Sequence, residues 1–242
     1  MFADYDDLGY DDEDLYLEHH GMLGMKWGVR RFQNADGSLT PEGQQRYAQK
    51  NLKYAMTKNL DKWGKDRDHN VLYLTGPSGS GKSTTALSMS NKNDSIIHLD
   101  TLFENTQHGS NTRNKEFESY CESKGINVKS ARNLKLSREE RRNIINQVGN
   151  EIEPYGRQCY DNGRRVIVEG VQLADDTVFP NKSYFKDKPL VALRSGKATS
   201  ALRAALRDKK KVKDIIRDVT DKERSEWYDY IQDNLKQLDS LE

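Results

Sequence analysis

The sequence predicts an α/β fold in which a short parallel sheet carries helices on both faces. Three observations lead there. β-type apolar runs recur at residues 71–75, 95–99, 165–169 and 190–194. Segments of helical character separate them. A glycine-rich turn, residues 76–81, joins the first run directly to the first helix. Parallel strands need long crossover connections, usually helical, so this alternation implies a parallel rather than a hairpin-linked sheet.

The elements follow in chain order. Residues 1–18 carry Asp4, Asp6, Asp7, Asp11, Asp12, Glu13, Asp14 and Glu18 without a Lys or Arg, and are expected to form an acidic disordered tail. Residues 19–67 are expected to form a separate small, mostly irregular and helical extension with a linker helix. Asp36-Gly37 marks a turn, and Thr40-Pro41-Glu42 reads as N-cap, first helical residue and acidic first turn. That helix is expected to run through Tyr47 and Tyr54 toward Trp63, and the charged stretch 61–70 places a boundary near residue 67. Residues 68–242 form the α/β domain. Its helices are expected at 83–89, 113–124, 137–162, 196–211 and 220–239, the third opening at Ser137 with Glu140 in the capping-box position. Four strands are legible; a fifth is either missing or lies within 212–219.

Composition narrows the function classes. The chain of 242 residues is 34% hydrophobic and 32% charged, polar enough that part of it is expected to be poorly packed. A formal net charge of +1 gives no bulk attraction to nucleic acid or to membranes. No apolar run approaches the roughly 18 residues of a spanning helix, and the acidic N-terminus lacks the order of a signal peptide. Cys121 and Cys159 lie far apart, which suggests a reducing compartment and neither a disulfide framework nor a zinc site.

The chemistry starts at residues 76–83, Gly-Pro-Ser-Gly-Ser-Gly-Lys-Ser, which fit the phosphate-binding pattern G-x-x-x-x-G-K-[ST]. Glycines let the backbone approach phosphates closely, and the following helix start adds free N–H groups and partial positive charge. Gly76, Pro77, Ser78, Gly79, Ser80, Gly81, Lys82, Ser83 and Thr84 are therefore the expected nucleotide-binding residues, with ATP and Mg²⁺ as cofactors. Lys82 would reach the β- and γ-phosphates, and Ser83 would bind Mg²⁺. Asp100 follows the second strand at the edge that faces the ligand crevice. A carboxylate there can accept a proton from a substrate hydroxyl or hold Mg²⁺ through water. Glu169, ending an apolar strand, has the form of a carboxylate that orients magnesium or water. Arg203 and Arg207, four apart on one predicted helix face, can clamp a transferring phosphoryl group.

This order of phosphate loop, strand with Asp100, strand ending in Glu169-Gly170 and Arg203-x-x-x-Arg207-Asp208 helix resembles the small P-loop kinases. It is most similar to the uridine kinase and phosphoribulokinase group, with nucleotide kinases and zeta-toxin-like kinases close behind. The resemblance covers about residues 70–211 and implies a P-loop NTPase fold and an ATP-dependent phosphotransferase. Asp100 would then act near the acceptor hydroxyl, and Arg203 and Arg207 would belong to a lid. The acceptor, a nucleoside, nucleotide or sugar nucleotide, is not identified by Thr101-Leu102-Phe103-Glu104, which can line a pocket. Independently, His19-His20-Gly21-Met22-Leu23-Gly24-Met25-Lys26-Trp27-Gly28-Val29-Arg30-Arg31, continuing to Gly43, resembles a short module of tailed-phage and prophage structural proteins of Gram-positive hosts. That implies a phage-encoded protein of the bacterial host cytoplasm, packaged in or attached to the virion through residues 1–50 as a capsid or portal component. The alternative to a kinase is a virion-associated interaction protein that binds ATP without turnover.

Overall fold

The computed structural model describes residues 32, 34, 39–53, 55–103, 114–133, 135–175, 177–179, 181–195 and 222–240. The chain divides into two compact units, Met1–Gly43 and Gln44–Glu242. Helix α1 (Pro41–Lys53) begins as its sequence dictates: Thr40 Oγ1 accepts the Gly43 amide at 3.1 Å, and Pro41 and Glu42 fill the first turn. The expected acidic tail (1–18) and the segment 19–31 lie outside the described residues.

The expected run of this helix toward Trp63 does not occur. After Lys53 the chain forms a short strand, β1 (Met56–Lys58), and then a 3-10 turn at Leu60–Lys62. Asn59 between them is left-handed, with φ 49°, a conformation asparagine tolerates and a helix cannot accommodate. Tertiary contacts fix the change. Trp63 Nε1 donates to the Asn70 and Val166 carbonyls at 3.3 Å each, and the Arg165 guanidinium lies 4.0 Å from the Trp63 ring centroid. The expected boundary near residue 67 coincides with another 3-10 turn, Arg67–His69, capped by Asp66 and lying inside the second unit.

Four further strands complete the sheet: β2 (Val71–Thr75), β3 (Ser95–His98), β4 (Val166–Glu169) and β5 (Leu190–Ala192). The order is β1-β5-β2-β4-β3. Among the described residues β2 runs parallel to both β4 and β5, β3 runs parallel to β4, and only β1 is antiparallel, against β5. The fifth strand thus comes from upstream of the glycine loop; residues 212–219 lie outside the described residues.

Among the described residues the helices fall close to their expected places: α2 (Lys82–Met89), α4 (Lys115–Ser123), α5 (Arg138–Asp161) and α6 (Lys222–Asp239), with a short α3 (Leu99–Phe103) after β3; the expected helix at 196–211 lies outside the described residues. At the start of α5 the Glu140 amide donates to Ser137 Oγ at 3.2 Å, and the Ser137 amide donates to Glu140 Oε2 at 2.7 Å, the reciprocal capping box read from the sequence. No helix among the described residues is long and apolar enough to cross a membrane.

Strand alternation sorts the core into two layers. Val71, Tyr73, Ile97, Val166, Val168, Leu190 and Ala192 pack with Phe117 of α4, Ile152 and Tyr155 of α5 and Leu235 of α6. Leu72, Leu74, Ile96, Ile167, Val191 and Leu193 pack on the opposite face with Ala86 of α2, Leu52 of α1 and Trp63. Both faces are covered, so the inner strands are apolar throughout rather than alternating, as a buried parallel sheet requires.

Candidate functional site

The glycine loop leaves the carboxyl end of β2, a strand flanked on both sides, and enters α2 at Lys82. Gly81 has φ +93°, and a Cβ there would meet Asn51 Nδ2 at 2.4 Å; at Gly76, φ +148°, it would meet the Leu193 carbonyl oxygen at 2.6 Å. Neither position admits another residue without displacement. The Ser80 amide closes a turn onto the Pro77 carbonyl at 3.1 Å, and the first helical bond runs from the Thr85 amide to the Gly81 carbonyl at 2.9 Å. The amides of Lys82, Ser83 and Thr84 precede that bond and have no acceptor within the helix.

Lys82 is 6% exposed. Its Nζ donates to the Gly76 and Pro77 carbonyls at 2.9 and 3.2 Å, so the ammonium is held against its own loop. Ser83 Oγ donates to Glu169 Oε1 at 2.9 Å. Glu169 is 3% exposed, at the end of β4, and the β3–β4 register sets His98 directly beside it. His98 Nδ1 bonds the same Oε1. Burial raises the Glu169 pKa, but the His98 hydrogen bond, the Lys82 charge and the Ser83 hydroxyl outweigh it and hold the carboxyl below its usual range. An ionised carboxylate only accepts, so His98 Nδ1 carries the hydrogen.

Asp100 differs slightly from expectation. It lies not at the strand end but in the first turn of α3, because β3 stops at His98. Asn114 ends it: Asn114 Oδ1 accepts the His98 amide at 2.9 Å, Asn114 Nδ2 donates to the His98 carbonyl at 3.1 Å, and Thr101 Oγ1 donates to the same carbonyl at 3.0 Å. With both backbone groups of His98 bonded to side chains, the chain turns into α3. Asp100 Oδ1 and Glu169 Oε2 are buried without a hydrogen-bond partner among the described residues.

A cavity of about 350 Å³ opens beside α3 and α4, lined by Thr101, Asn114, Lys115, Glu118, Glu122 and Arg132 among others. Its walls are polar and charged. Arg132 is fixed by bonds to the Leu102 carbonyl at 2.8 Å and to Glu118 at 2.6 Å. No residue of 76–83 lines it.

Lys82, Ser83 and Glu169 are therefore brought together, while Asp100 lies in the turn that follows His98. Arg203 and Arg207 lie outside the described residues. Two residues not singled out in the sequence belong to this arrangement, His98 and Asn114. His98 has a readable signal, a polar residue closing the apolar run Ser95-Ile96-Ile97. Asn114 has none, since it reaches β3 from a distant helix start.

Among the described residues no group of three or more His, Cys, Asp or Glu side chains is arranged to hold a metal ion. Mg²⁺ does not require one, because it is commonly bound through one or two carboxylates plus substrate phosphates. The hydroxyl of Ser83 and the unpartnered buried oxygen of Glu169, on the carboxylate that Ser83 bonds, are hard oxygen donors of the kind this ion takes.

Among known proteins, residues 10–34 match a family of unknown function (DUF7211). No curated protein and no solved structure is significantly similar to the chain.

Proposed function

We propose that the chain is an ATP-dependent phosphotransferase of the small P-loop kinase type, acting on a small hydroxyl- or phosphate-bearing acceptor. The observation that carries this is the junction of the glycine loop with Glu169: a strand–glycine loop–helix in which the hydroxyl following the loop lysine bonds a buried carboxylate on the adjacent strand. Backbone amides at 79–84 and Lys82 hold the polyphosphate. Ser83, Glu169 and Asp100 are the residues that would hold Mg²⁺, which when bound neutralises charge on the β- and γ-oxygens.

In the transfer, an acceptor hydroxyl oxygen bonds the γ-phosphorus as the bond to the bridging oxygen breaks, and ADP leaves. The acceptor proton passes to Asp100. Arg203 and Arg207 are proposed to close over the transferring group and exclude water. The polar cavity at Thr101, next in sequence to Asp100, has the size and charged lining of a site for a small polar acceptor. Incubation with γ-labelled ATP, Mg²⁺ and a panel of nucleosides, nucleotides and sugar nucleotides tests the proposal. A labelled acceptor supports it; ATP binding without any labelled product rejects the kinase in favour of a nucleotide-binding interaction protein.

The family match at residues 10–34 falls within the compact unit Met1–Gly43 and stops well short of the glycine loop. The matched family has no stated function; the second role proposed for this segment, a docking module, rests on its phage-module resemblance. Co-sedimentation of the chain with phage particles, with and without residues 1–43, tests it.

A further inference from the structure

We infer that His98 is a positioning residue for the magnesium-binding oxygen of Glu169, resting on the phosphotransferase proposal above. Glu169 has two carboxylate oxygens with unequal surroundings. Oε1 receives both Ser83 Oγ and His98 Nδ1, whereas Oε2 is buried and bonded to neither. Two donors on one oxygen fix the rotation of the carboxylate about its last torsion, which is otherwise broad. Oε2 is thereby the oxygen left for a cation or for water on that cation.

His98 is itself held from behind. Its amide and carbonyl are both bonded to the Asn114 side chain, at 2.9 and 3.1 Å, and Asn114 Nδ2 also reaches Thr101 Oγ1 at 2.8 Å. Asn114 is 4% exposed, so these bonds are shielded from water. A chain of hydrogen bonds therefore runs from Thr101 and Asn114 in the wall of the cavity, through the backbone and then the imidazole of His98, to Glu169 and Ser83 at the start of α2. Toward Glu169 the imidazole acts through its Nδ1–H; a group that places one N–H at that point should replace it. Asparagine does so, because its amide nitrogen lies the same number of bonds from the backbone as Nδ1. Glutamine carries its amide one carbon further out.

The test is calorimetric titration of the full chain with a non-hydrolysable ATP analogue, with and without Mg²⁺, for the unsubstituted chain, His98→Ala, His98→Asn, His98→Gln and Lys82→Ala. In His98→Ala the affinity gained on adding Mg²⁺ is expected to fall about ten-fold or more, the usual scale for losing a partner behind a metal ligand, while Mg²⁺-free binding stays within about two-fold. His98→Asn restores the gain and His98→Gln does not. An unchanged Mg²⁺ gain in His98→Ala overturns the inference, as does glutamine rescuing as well as asparagine; the Asn/Gln comparison decides the matter if the alanine variant fails to fold. If the unsubstituted chain binds no analogue, or Lys82→Ala binds it equally well, the phosphotransferase proposal falls, and the inference with it. If Lys82→Ala alone weakens binding, the proposal stands and only the role of His98 is rejected.

Discussion

Ser83 Oγ donates to Glu169 Oε1 across 2.9 Å, tying the first turn of α2 to the last residue of β4. The two residues are far apart in sequence and meet because β4 lies directly beside β2, with Leu74 and Glu169 in register. Strand order thus decides which carboxylate reaches the loop.

Replacing Lys82 by alanine removes the one ammonium buried in the glycine loop. Loss of a single preorganised electrostatic group costs about 10²-fold or more in turnover. Initial rates of phosphoryl transfer at saturating ATP check this, with thermal unfolding as the control for folding.

Asp100→Asn separates binding from chemistry. The amide keeps the size of the side chain but takes no proton, so transfer is expected to fall by about 10²-fold, the scale of general-base catalysis. Mg²⁺-free ATP binding by equilibrium dialysis should change little. Equal transfer by the variant and the unsubstituted chain would remove Asp100 from the acceptor side.

Gly156 is a packing test of the fold. It faces β2 from α5, and a Cβ there would meet Val71 Cγ2 at 2.3 Å. Gly156→Ala is expected to destabilise the chain by about 1–3 kcal/mol, the cost of overpacking a buried contact. Alanine otherwise favours helix, so a stabilised variant in urea denaturation would contradict this packing.

The α/β alternation, the cap at Ser137 and the glycine loop are legible in the sequence because each depends on neighbours in the chain. β1 is not: Met56-Thr57-Lys58 has no strand signature, and it pairs only because β5 offers a free edge. The site shows the same division. Lys82 and Ser83 lie inside a contiguous motif, and Glu169 closes a visible apolar strand. His98 and Asn114 take their roles from β3–β4 register and from a helix start 16 positions along the chain, neither of which local pattern encodes.

Cys121 and Cys159 are free and buried, and burial pushes the Cys121 thiol up to about 12 and the Cys159 thiol above its usual value. Both should resist a disulfide reagent at pH 8 in the folded chain and react in denaturant. For Cys121 the folded value lies above the reference of 9.0, so its contribution to stability is complete below pH 9 and is lost as pH rises toward about 12. Denaturation midpoints between pH 8 and 11 should fall more steeply for the unsubstituted chain than for Cys121→Ala.

Equilibrium binding of ATP to the full chain, followed by displacement of a fluorescent ATP analogue, tests most directly whether residues 76–83 grip a triphosphate. One saturable site, competed by ATP and lost in Lys82→Ala, is the expected result. No saturable binding at millimolar nucleotide, or equal binding by the Lys82 variant, would contradict it.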